Sequence, residues 1–321
     1  MAEKGLGRIA VIGAGLSGVI AARDLAGAGR AVHIFEKSRG AGGRMATRRA
    51  DGFGFDHGAQ YFRAHAPDFA AEIEAWRSRG FAASWGEGRF VGLPAMNAPV
   101  KALADGLPMT TGFTAARIEG GPGAWTLRSE EGAAAGTFDA VLVSAPAPQA
   151  ATLLGGVAPD LAQAAGRARY APCLALMLAY APEDLPPTLP VAERPEHKAI
   201  AWIAEDGTKP GRLREGPRRI VVHATPDFSR AHLEEAPEAI AAALLAEAAP
   251  LIGATDMPPV HAKAHRWRYA LVEEPVGQAC LWDAGRGIGA CGDWCLGGRV
   301  EAAFGSGRAL ARAVLAEGGD A

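Results

Sequence analysis

The chain has 321 residues, with 33 lysines and arginines against 35 aspartates and glutamates, and a formal net charge of −2. This balance lacks the basic footprint of a nucleic-acid-binding protein, and the length favours two domains. The sequence contains no apolar stretch long enough to span a membrane, and glycines interrupt the N-terminal apolar run, unlike a signal peptide. We therefore expect a cytoplasmic enzyme with no nucleic-acid or membrane partner.

The cysteines point to the same compartment. Cys173, Cys280, Cys291 and Cys295 lie in apolar or glycine-rich contexts. The last two are four residues apart, and no second pair has zinc spacing. We interpret all four as buried thiols in a reducing compartment, and no metal site is predicted.

The first elements of the chain predict a dinucleotide-binding unit. Ile9–Ile12 is typical of a strand buried on both faces, and a glycine turn and a helix follow it. The glycines allow a tight turn, room for a pyrophosphate and close helix–strand contact, and the helix N-terminus attracts the phosphate. A second apolar strand ends at Glu36, where a carboxylate accepts the adenosine ribose hydroxyls. The residues predicted to contact the nucleotide here are Gly13, Ala14, Gly15, Leu16, Ser17, Gly18, Glu36 and Lys37.

A second glycine segment follows that strand. In Gly42-Gly43-Arg44 the glycines let the main chain approach a dinucleotide, and Arg44 offers a forked cation to phosphate oxygens. Met45 comes next, and Thr47 places a small hydroxyl residue after the motif. The alternative interpretation is a basic surface loop, because Arg48 and Arg49 follow and are expected to be solvated.

The C-terminal region is expected to complete the same nucleotide site. Gly289–Trp294 is a strand-like segment with Gly-Asp near its end, and Gly297–Glu301 leads into a helix with one apolar face. A helix N-terminus stabilises the negative charge of a reduced flavin. A simple NAD-binding domain needs no such return of the chain, so FAD is favoured as the dinucleotide.

These two segments resemble the FAD sites of the flavin-containing amine-oxidase-like oxidoreductases. The resemblance implies a noncovalent FAD whose phosphates lie near Gly43, Arg44 and Met45. It also implies that Asp293 meets the ribityl chain. The start of the last helix, at Arg299 and Val300, would then face the flavin O2.

The resemblance also implies the domain organisation. The fold class expected is α/β, with a Rossmann-type FAD-binding domain and a second, α+β substrate domain, both discontinuous in sequence. Residues 1–62, 96–150 and 280–321 are assigned to the FAD-binding domain, and residues 63–95 and 151–279 to the substrate domain. The elements predicted within them include strands at Thr137–Ser144, Leu174–Tyr180, Ala199–Ala204 and Arg219–Ala224, a helix at Pro237–Ala248, and loops at Pro182–Pro190 and Lys209–Pro217.

Motifs in the middle of the chain narrow the resemblance to the bacterial renalase-like branch of this superfamily. Phe55–Phe62, Val91–Ala98, His223–Pro226 and His265–Ala270 occur in that order, and the likeness runs from Ile9 to about Leu315. It implies oxidation of dihydro-NAD(P) isomers, reduced at carbon 2 or carbon 6, to NAD(P)+. A hydride would pass to flavin N5, and O2 would reoxidise the flavin and give H2O2.

The renalase-like resemblance implies further flavin contacts and also has departures. The additional cofactor-binding residues are His57, Gly58, Ala59 and Met96. Where Trp is expected before Ser229 the chain has Phe228, and where Thr is expected it has Arg63. Both departures lie in or near the predicted substrate domain.

Four side chains are candidates for the substrate pocket. His265 is predicted to line it, with a strand of alternating exposed cations and buried aromatics as the alternative. Gln60 and Tyr61 offer a polar edge and a ring face, although Tyr61 also suits the core. Asn97 is predicted to hydrogen-bond the flavin or the substrate, with helix capping as the alternative. Lys101 is interpreted as a solvated helix lysine rather than a flavin-side lysine.

Two other functions fit the same motifs. An amine oxidase or a carotenoid-type desaturating oxidoreductase would share the fold and FAD, because fold and cofactor do not determine the substrate. A flavin- or nucleotide-binding sensor without turnover would also share them. The partner expected for the leading hypothesis is a dihydronicotinamide dinucleotide, with O2 as acceptor.

Overall fold

The computed structural model describes residues 7–189, 192–193 and 196–317. The helices are α1 (Leu16–Gly27), α2 (Pro67–Ser78), α3 (Ala98–Ala104), α4 (Ala147–Leu154), α5 (Pro159–Ala165), α6 (Pro226–Ala231), α7 (Pro237–Ala248) and α8 (Val300–Ala316). The strands are β1 (Arg8–Ile12), β2 (Ala31–Glu36), β3 (Arg48–Ala50), β4 (Phe53–Phe55), β5 (Ala82–Ser84), β6 (Phe90–Gly92), β7 (Met109–Thr111), β8 (Ala115–Gly121), β9 (Ala124–Ser129), β10 (Ala134–Phe138), β11 (Ala140–Val143), β12 (Arg169–Tyr180), β13 (Ala192–Glu193), β14 (Ile200–Glu205), β15 (Arg218–Ala224), β16 (His261–Glu274), β17 (Leu281–Asp283) and β18 (Ile288–Ala290).

A six-stranded sheet carries the glycine turn. Its order is β17-β18-β11-β1-β2-β7, and every neighbouring pair is parallel except β17 with β18 at one edge. Residues 9–12 of β1 and 140–143 of β11 are all buried, as expected for apolar strands covered on both faces. All six strands come from residues 1–62, 96–150 and 280–321.

Helices α1 and α8 pack against each other beside this sheet. Leu16, Val19 and Ile20 of α1 are buried. A Cβ atom at Gly307 of α8 would lie only 2.3 Å from the main-chain oxygen of Ser17. The two helices therefore meet at a point where only glycine fits, and this contact joins the end of the chain to its beginning.

The second large sheet of the fold has five antiparallel strands. Its order is β13-β14-β15-β12-β16, and all its strands come from residues 151–279. Successive side chains of a strand point to opposite faces. Leu174, Leu176 and Leu178 of β12 are buried in the core that includes residues of α7. On the opposite face, His223 of β15 and His265 of β16 both lie beside Ala175.

Smaller elements complete the fold. Strands β8, β9 and β10 form a three-stranded sheet, and β3–β4 and β5–β6 are hairpins. Phe69, Ile73 and Trp76 of α2 are buried. The expected α/β fold with a Rossmann-type nucleotide-binding domain is confirmed. No helix within the described ranges is long and apolar enough to cross a bilayer.

Three sequence predictions need correction or a limit. The single strand predicted at Thr137–Ser144 is wrong, because the sheets separate at Asp139, whose carboxylate accepts from the main-chain nitrogens of Gly7 and Arg8 at 2.9 and 2.6 Å. Cys280 is half-buried, unlike the other three cysteines, and all four are free thiols. Pro190, the last residue of one predicted loop, lies outside the described residues.

Candidate functional site

The glycines of the turn have two different roles: Gly13 and Gly18 allow close packing, and Gly15 leaves open space. A Cβ atom at Gly13 would lie 2.7 Å from the main-chain oxygen of Ser144, and one at Gly18 would lie 2.1 Å from that of Gly13. A Cβ atom at Gly15 would meet no atom within 4 Å. Gly15 precedes the first residue of α1, which no side chain caps. The turn therefore leaves its open side at a helix N-terminus, where an anion binds favourably.

Glu36 lies against this turn. Its carboxylate is buried and accepts from the main-chain nitrogen of Ala14 at 2.7 Å. The other oxygen accepts from the nitrogen and hydroxyl of Ser38 at 2.8 and 2.6 Å. Lys37, between them, is exposed. These contacts hold the acid at the end of β2 beside the glycines, as the dinucleotide motif requires.

The second glycine segment lies directly on the first. The nitrogen of Gly42 donates to the oxygen of Ala14 at 2.9 Å. Gly43 has a φ of +53°, and a Cβ atom there would lie 3.1 Å from the Cα of Gly15. A Cβ atom at Gly42 would lie 3.1 Å from the Cβ of Asn97. The sequence motifs near residues 15, 43 and 97 thus meet around one main-chain cradle.

Arg44 links the N-terminal motif to the C-terminal one. Its guanidinium donates to the Asp293 carboxylate at 2.5 Å and to the Ala270 oxygen of β16 at 3.1 Å. Asp293 is buried, and its main-chain oxygen accepts from the nitrogen of Gly297 at 2.6 Å. Helix α8 begins shortly afterwards, after Arg299, without a side-chain cap. The second glycine segment and the segment that precedes α8 therefore lie in contact.

The turn after β4 packs against Arg44. The nitrogen of Ala59 donates to the Arg44 oxygen at 2.9 Å. A Cβ atom at Gly58 would lie 2.1 Å from that same oxygen, so a larger residue does not fit. The carbonyl oxygen of His57 accepts from Trp267 Nε1 at 2.9 Å and from His223 Nε2 at 3.1 Å. This turn is thereby fixed between the glycine segment and one face of the five-stranded sheet.

Three rings form a cluster at this face. The His57 and His265 ring centroids are 4.7 Å apart, and Trp267 lies 4.9 Å from His57 and 4.4 Å from His265. Burial lowers the pKa of His57 to about 3, and the nearby His265 and Arg48 add to the shift. Burial also lowers the pKa values of His265 and His223 to about 4. The histidines are therefore neutral at pH 7 and present hydrogen-bonding rings without charge.

A buried charged cluster lies on the other side of His57. Lys209 Nζ lies 2.5 Å from Asp206 Oδ1, 3.1 Å from Gln60 Oε1 and 3.4 Å from Asp56 Oδ2. Arg212 Nη2 lies 2.5 Å from the same Asp56 oxygen. Asp56, Asp206 and Lys209 are at most 1% exposed. We call Asp56, Gln60, Asp206, Lys209 and Arg212 the charged cluster.

Electrostatics keep the cluster ionised at Asp56. Burial raises the pKa of Asp56, but the charges of Lys209 and Arg212 outweigh it and hold that pKa at about 2. Burial raises the pKa of Asp206, although Lys209 opposes the shift. Thr47 also donates to Asp56, at 2.5 Å. Asp56 thus ties the segment after Arg44 to the loop that follows β14.

Sequence reasoning missed the charged cluster. Residues 209–217 form the predicted loop, but no feature of the sequence predicts that Lys209 has no exposed surface. Proline and glycine between Lys209 and Arg212 are typical of an exposed turn. A signal was present only in the pairing of this basic loop with the Asp56 motif, which lies 153 residues away.

The predicted pocket residues fall in different surroundings. Gln60 is buried, and its amide nitrogen donates to the main-chain oxygens of Asp56 and Gly58. Tyr61 is half-buried, with its ring 5.5 Å from that of Trp202. Asn97 occupies the cap position of α3, but its side chain makes no capping hydrogen bond. Lys101 is exposed on α3.

Other predicted flavin contacts line the same region. Met96 is buried, and its nitrogen donates to Thr47 Oγ1 at 3.1 Å and to Asp56 Oδ1 at 3.2 Å. Met45 is buried beneath the second glycine segment. Ser17 is buried on α1, where its hydroxyl lies 2.7 Å from that of Ser144. These buried residues pack beneath the main-chain cradle.

Comparison with known families identifies the class of protein. Residues 80–315 match the model of the flavin containing amine oxidoreductases, and residues 11–73 match the model of the NAD(P)-binding Rossmann-like domain. The chain belongs to the flavin-containing amine oxidoreductase family. It is an oxidoreductase, and its cofactor is FAD.

Individual proteins are similar to this chain either in sequence or in structure. A segment of 51 residues is 53% identical to a 4,4'-diapophytoene desaturase of Staphylococcus aureus, which is 16% of this chain and 10% of the desaturase. The match therefore spans a tenth of that relative. Among solved structures, a putative protoporphyrinogen oxidase from Exiguobacterium is 14% identical with a TM-score of 0.75, and cyclohexylamine oxidase from Brevibacterium oxydans is 14% identical with a TM-score of 0.72. Each comparison covers 97% of this chain and 99% of the other, and at this identity it shows the fold alone.

The residues around the cradle fit FAD. Gly15 leaves open space at a helix N-terminus, Glu36 lies beside it, and Arg44 and Asp293 continue the polar surface towards α8. An anionic pyrophosphate, a ribose and a ribityl chain need groups of these kinds.

Proposed function

We propose that this protein is an FAD-dependent oxidase of isomeric dihydro-NAD(P), reduced at carbon 2 or carbon 6 of the nicotinamide. Bound FAD would supply the acceptor for the hydride from that carbon and, with one proton from solvent, the route of two electrons to O2, so that NAD(P)+ and H2O2 would be the products. No strong base is needed, because loss of the hydride restores the aromatic pyridinium.

The proposal assigns the cofactor contacts to the main-chain cradle and its neighbours. The pyrophosphate and adenosine would bind at the α1 N-terminus and Glu36, the ribityl chain near Asp293, and the flavin ring near the α8 N-terminus and the His57 turn. The full set is Gly13, Ala14, Gly15, Leu16, Ser17, Gly18, Glu36, Lys37, Gly43, Arg44, Met45, His57, Gly58, Ala59, Met96, Asp293, Arg299 and Val300.

The neutral ring cluster is the observation that carries the choice of substrate. A dihydronicotinamide ring is flat and uncharged. It suits a surface formed by the Trp267 ring and by the His57 and His265 rings, which their lowered pKa values keep neutral. An alkylammonium substrate needs a carboxylate or an aromatic cage. The nearby Asp56 carboxylate is already paired with Lys209 and Arg212. The electrostatics therefore favour a neutral ring over an amine.

Pocket side chains have separate roles in this proposal. His265 donates or accepts a hydrogen bond that holds the substrate, and Tyr61 offers a ring face. Asn97 lies beside the second glycine segment and supplies an amide to the flavin or the carboxamide of the substrate. Gln60 acts through the charged cluster, because its amide is bonded there. Correct alignment of the donor carbon is what these contacts would provide.

The alternative is an amine oxidase or a desaturase. Its support comes from the names of similar proteins, which include cyclohexylamine oxidase and a diapophytoene desaturase. The ring cluster offers an amine no free counter-charge, and the match to the desaturase spans only 10% of that protein, so we rank these functions second.

One experiment separates the two functions. Purified holoenzyme is supplied in air with borohydride-reduced NAD+, which contains the isomers, and in parallel with cyclohexylamine and putrescine. We expect H2O2 and NAD+ from the isomers and no H2O2 from the amines. Rapid H2O2 formation from an amine, with none from the isomers, would establish the alternative. A boiled sample controls for nonenzymatic oxidation.

A further inference from the structure

We propose that Arg48 is the residue that recognises the phosphate groups of the substrate, and that this makes the site specific for phosphate-bearing nicotinamides. The inference rests on the proposed function, whose substrate it specifies more closely. Arg48 is the first residue of β3, four positions after Arg44.

Contact with the ring cluster positions Arg48. Its Nη1 lies 3.4 Å from Nδ1 of His265, and its side chain is otherwise exposed. Its charge contributes to the lowered pKa values of both His57 and His265. The guanidinium thus lies at the solvent edge of the cluster that the nicotinamide would contact.

Arg48 differs from most arginines near it because no carboxylate neutralises it. Within the described residues it forms no ion pair, whereas Arg44, Arg212 and Arg268 each contact a carboxylate. The nearest acidic group on its hairpin is Asp51, whose Oδ2 lies 3.0 Å from both His261 Nδ1 and Lys263 Nζ. Arg48 therefore keeps an unneutralised positive charge beside His265.

An unneutralised arginine beside a neutral ring site fits one kind of substrate. In a nicotinamide nucleotide, a single ribose separates the uncharged ring from the first phosphate. A guanidinium fork binds phosphate oxygens in pairs and more strongly than a neutral donor does. The same charge repels an alkylammonium ion. Arg48 therefore selects for the nucleotide and against the amine.

The chain offers a matched control in Arg49. It is the next residue of β3, so its side chain points to the opposite face of the strand, and it is also exposed. Arg49→Gln removes the same charge from the same hairpin. Any effect that depends only on net charge or on the stability of the hairpin will appear in both variants.

The test compares Arg48→Gln, Arg49→Gln and the parental holoenzyme. Anaerobic flavin reduction is followed with the 6-dihydro isomer of NAD and with the same isomer of nicotinamide riboside, which has no phosphate. For Arg48→Gln we expect the apparent Kd of the dinucleotide to rise about 10- to 100-fold, the loss of one charged hydrogen-bonding group. The riboside should change less than about threefold, and Arg49→Gln should match the parent.

Equilibrium binding gives a second readout that needs no turnover. The oxidised holoenzymes are titrated with ADP-ribose and with inorganic phosphate by calorimetry. We expect Arg48→Gln to weaken ADP-ribose binding by a similar factor, and inorganic phosphate to bind weakly to all three proteins.

The outcomes distinguish the inference from the proposed function. Equal losses with the dinucleotide and the riboside, or loss of FAD from Arg48→Gln, would overturn the phosphate role. An unchanged Kd in Arg48→Gln would do the same while leaving the oxidase function intact. If no isomer reduces the parental flavin but ADP-ribose binding still depends on Arg48, the oxidase function fails and the phosphate site stands.

Discussion

The nucleotide cradle and the His57 region are joined through Arg44 but are built in different ways. The cradle is held by main-chain contacts among residues 13–43, such as Gly42 with Ala14. The His57 region is held by side chains that reach across the sequence, over 153 residues from Lys209 to Asp56 and 210 residues from Trp267 to His57. The cradle depends on the space that glycine leaves by having no side chain. The His57 region depends on contacts between charged side chains and between aromatic rings. Substitutions should therefore separate cofactor binding from stability in one region and combine them in the other.

The largest effect is expected in the charged cluster. Lys209→Met leaves Asp56 and Asp206 buried without their shared cation, which should lower the free energy of unfolding by about 3–5 kcal/mol. Urea unfolding of the holoenzyme measures this change. Lys101→Met, on the exposed side of α3, is the matched control and should have little effect. A loss below about 1 kcal/mol at Lys209 would mean that the cluster contributes no more than a surface ion pair.

In the glycine turn, one substitution should change the stability of the apoprotein and another should change only the flavin content. Gly18→Ala introduces a Cβ atom at 2.1 Å from the Gly13 oxygen, and we expect it to destabilise even the apoprotein by about 1–3 kcal/mol. Gly15→Leu meets no atom at its Cβ, so the apoprotein should keep its stability while flavin content falls to background. Flavin absorbance and apoprotein unfolding measure the two properties. A Gly15→Leu protein that retains its yellow colour would show that the pyrophosphate lies elsewhere.

The neutral histidines predict an acid dependence of stability. In the folded protein the pKa of His223 is about 4, below its ordinary value of 6.5, so the unfolded chain binds more protons between these pH values. Its stabilising contribution is complete above pH 6.5 and is lost as pH falls towards 4. Each such histidine adds a slope of up to about 1.4 kcal/mol per pH unit.

The variant His223→Gln tests this histidine separately, since glutamine retains a donor for the His57 oxygen. Urea unfolding at several pH values between 7 and 5 should show a shallower dependence in the variant than in the parent. Parallel curves would mean that folding does not lower the pKa of His223.

The smallest effect is expected at His265. His265→Ala should retain FAD and slow flavin reduction by the dihydro isomer by about 0.5–1.5 kcal/mol in transition-state free energy, the loss of one positioning hydrogen bond. His232→Ala, outside the ring cluster, serves as the control. If His265→Ala loses its flavin or reacts at the parental rate, His265 is structural.

The contrast between the regions also explains what the sequence could predict. Glycines, an apolar strand and a terminal acid carry the cradle in local order, so the fold class and FAD followed from residues 9–47 and the return at Asp293. Arg44 and Asp293 form an ion pair, and their contact with FAD stays a prediction. Such a motif can be predicted from the sequence, because neighbouring residues determine the main-chain geometry on which it depends.

The His57 region could be predicted from the sequence only in part. His57 and His265 were singled out separately, but no local pattern indicates that their rings meet or that Trp267 packs against both of them and against Gly58. The burial of Lys209 in its predicted loop was not foreseen, because it depends on acids 3 and 153 residues away. Such pairings arise from the packing of one layer on another, and a single sequence does not encode them as a pattern.

The most direct test of the central claim is the rate of anaerobic flavin reduction, measured by stopped-flow absorbance with equal concentrations of 6-dihydro-NAD and ordinary NADH. If the neutral ring cluster aligns an isomeric dihydronicotinamide with the flavin, the isomer should react on the order of 100-fold faster or more, because a small misplacement of the donor carbon costs about that factor. Equal rates for the two, or no reduction by either alongside rapid reduction by an amine, would contradict the account.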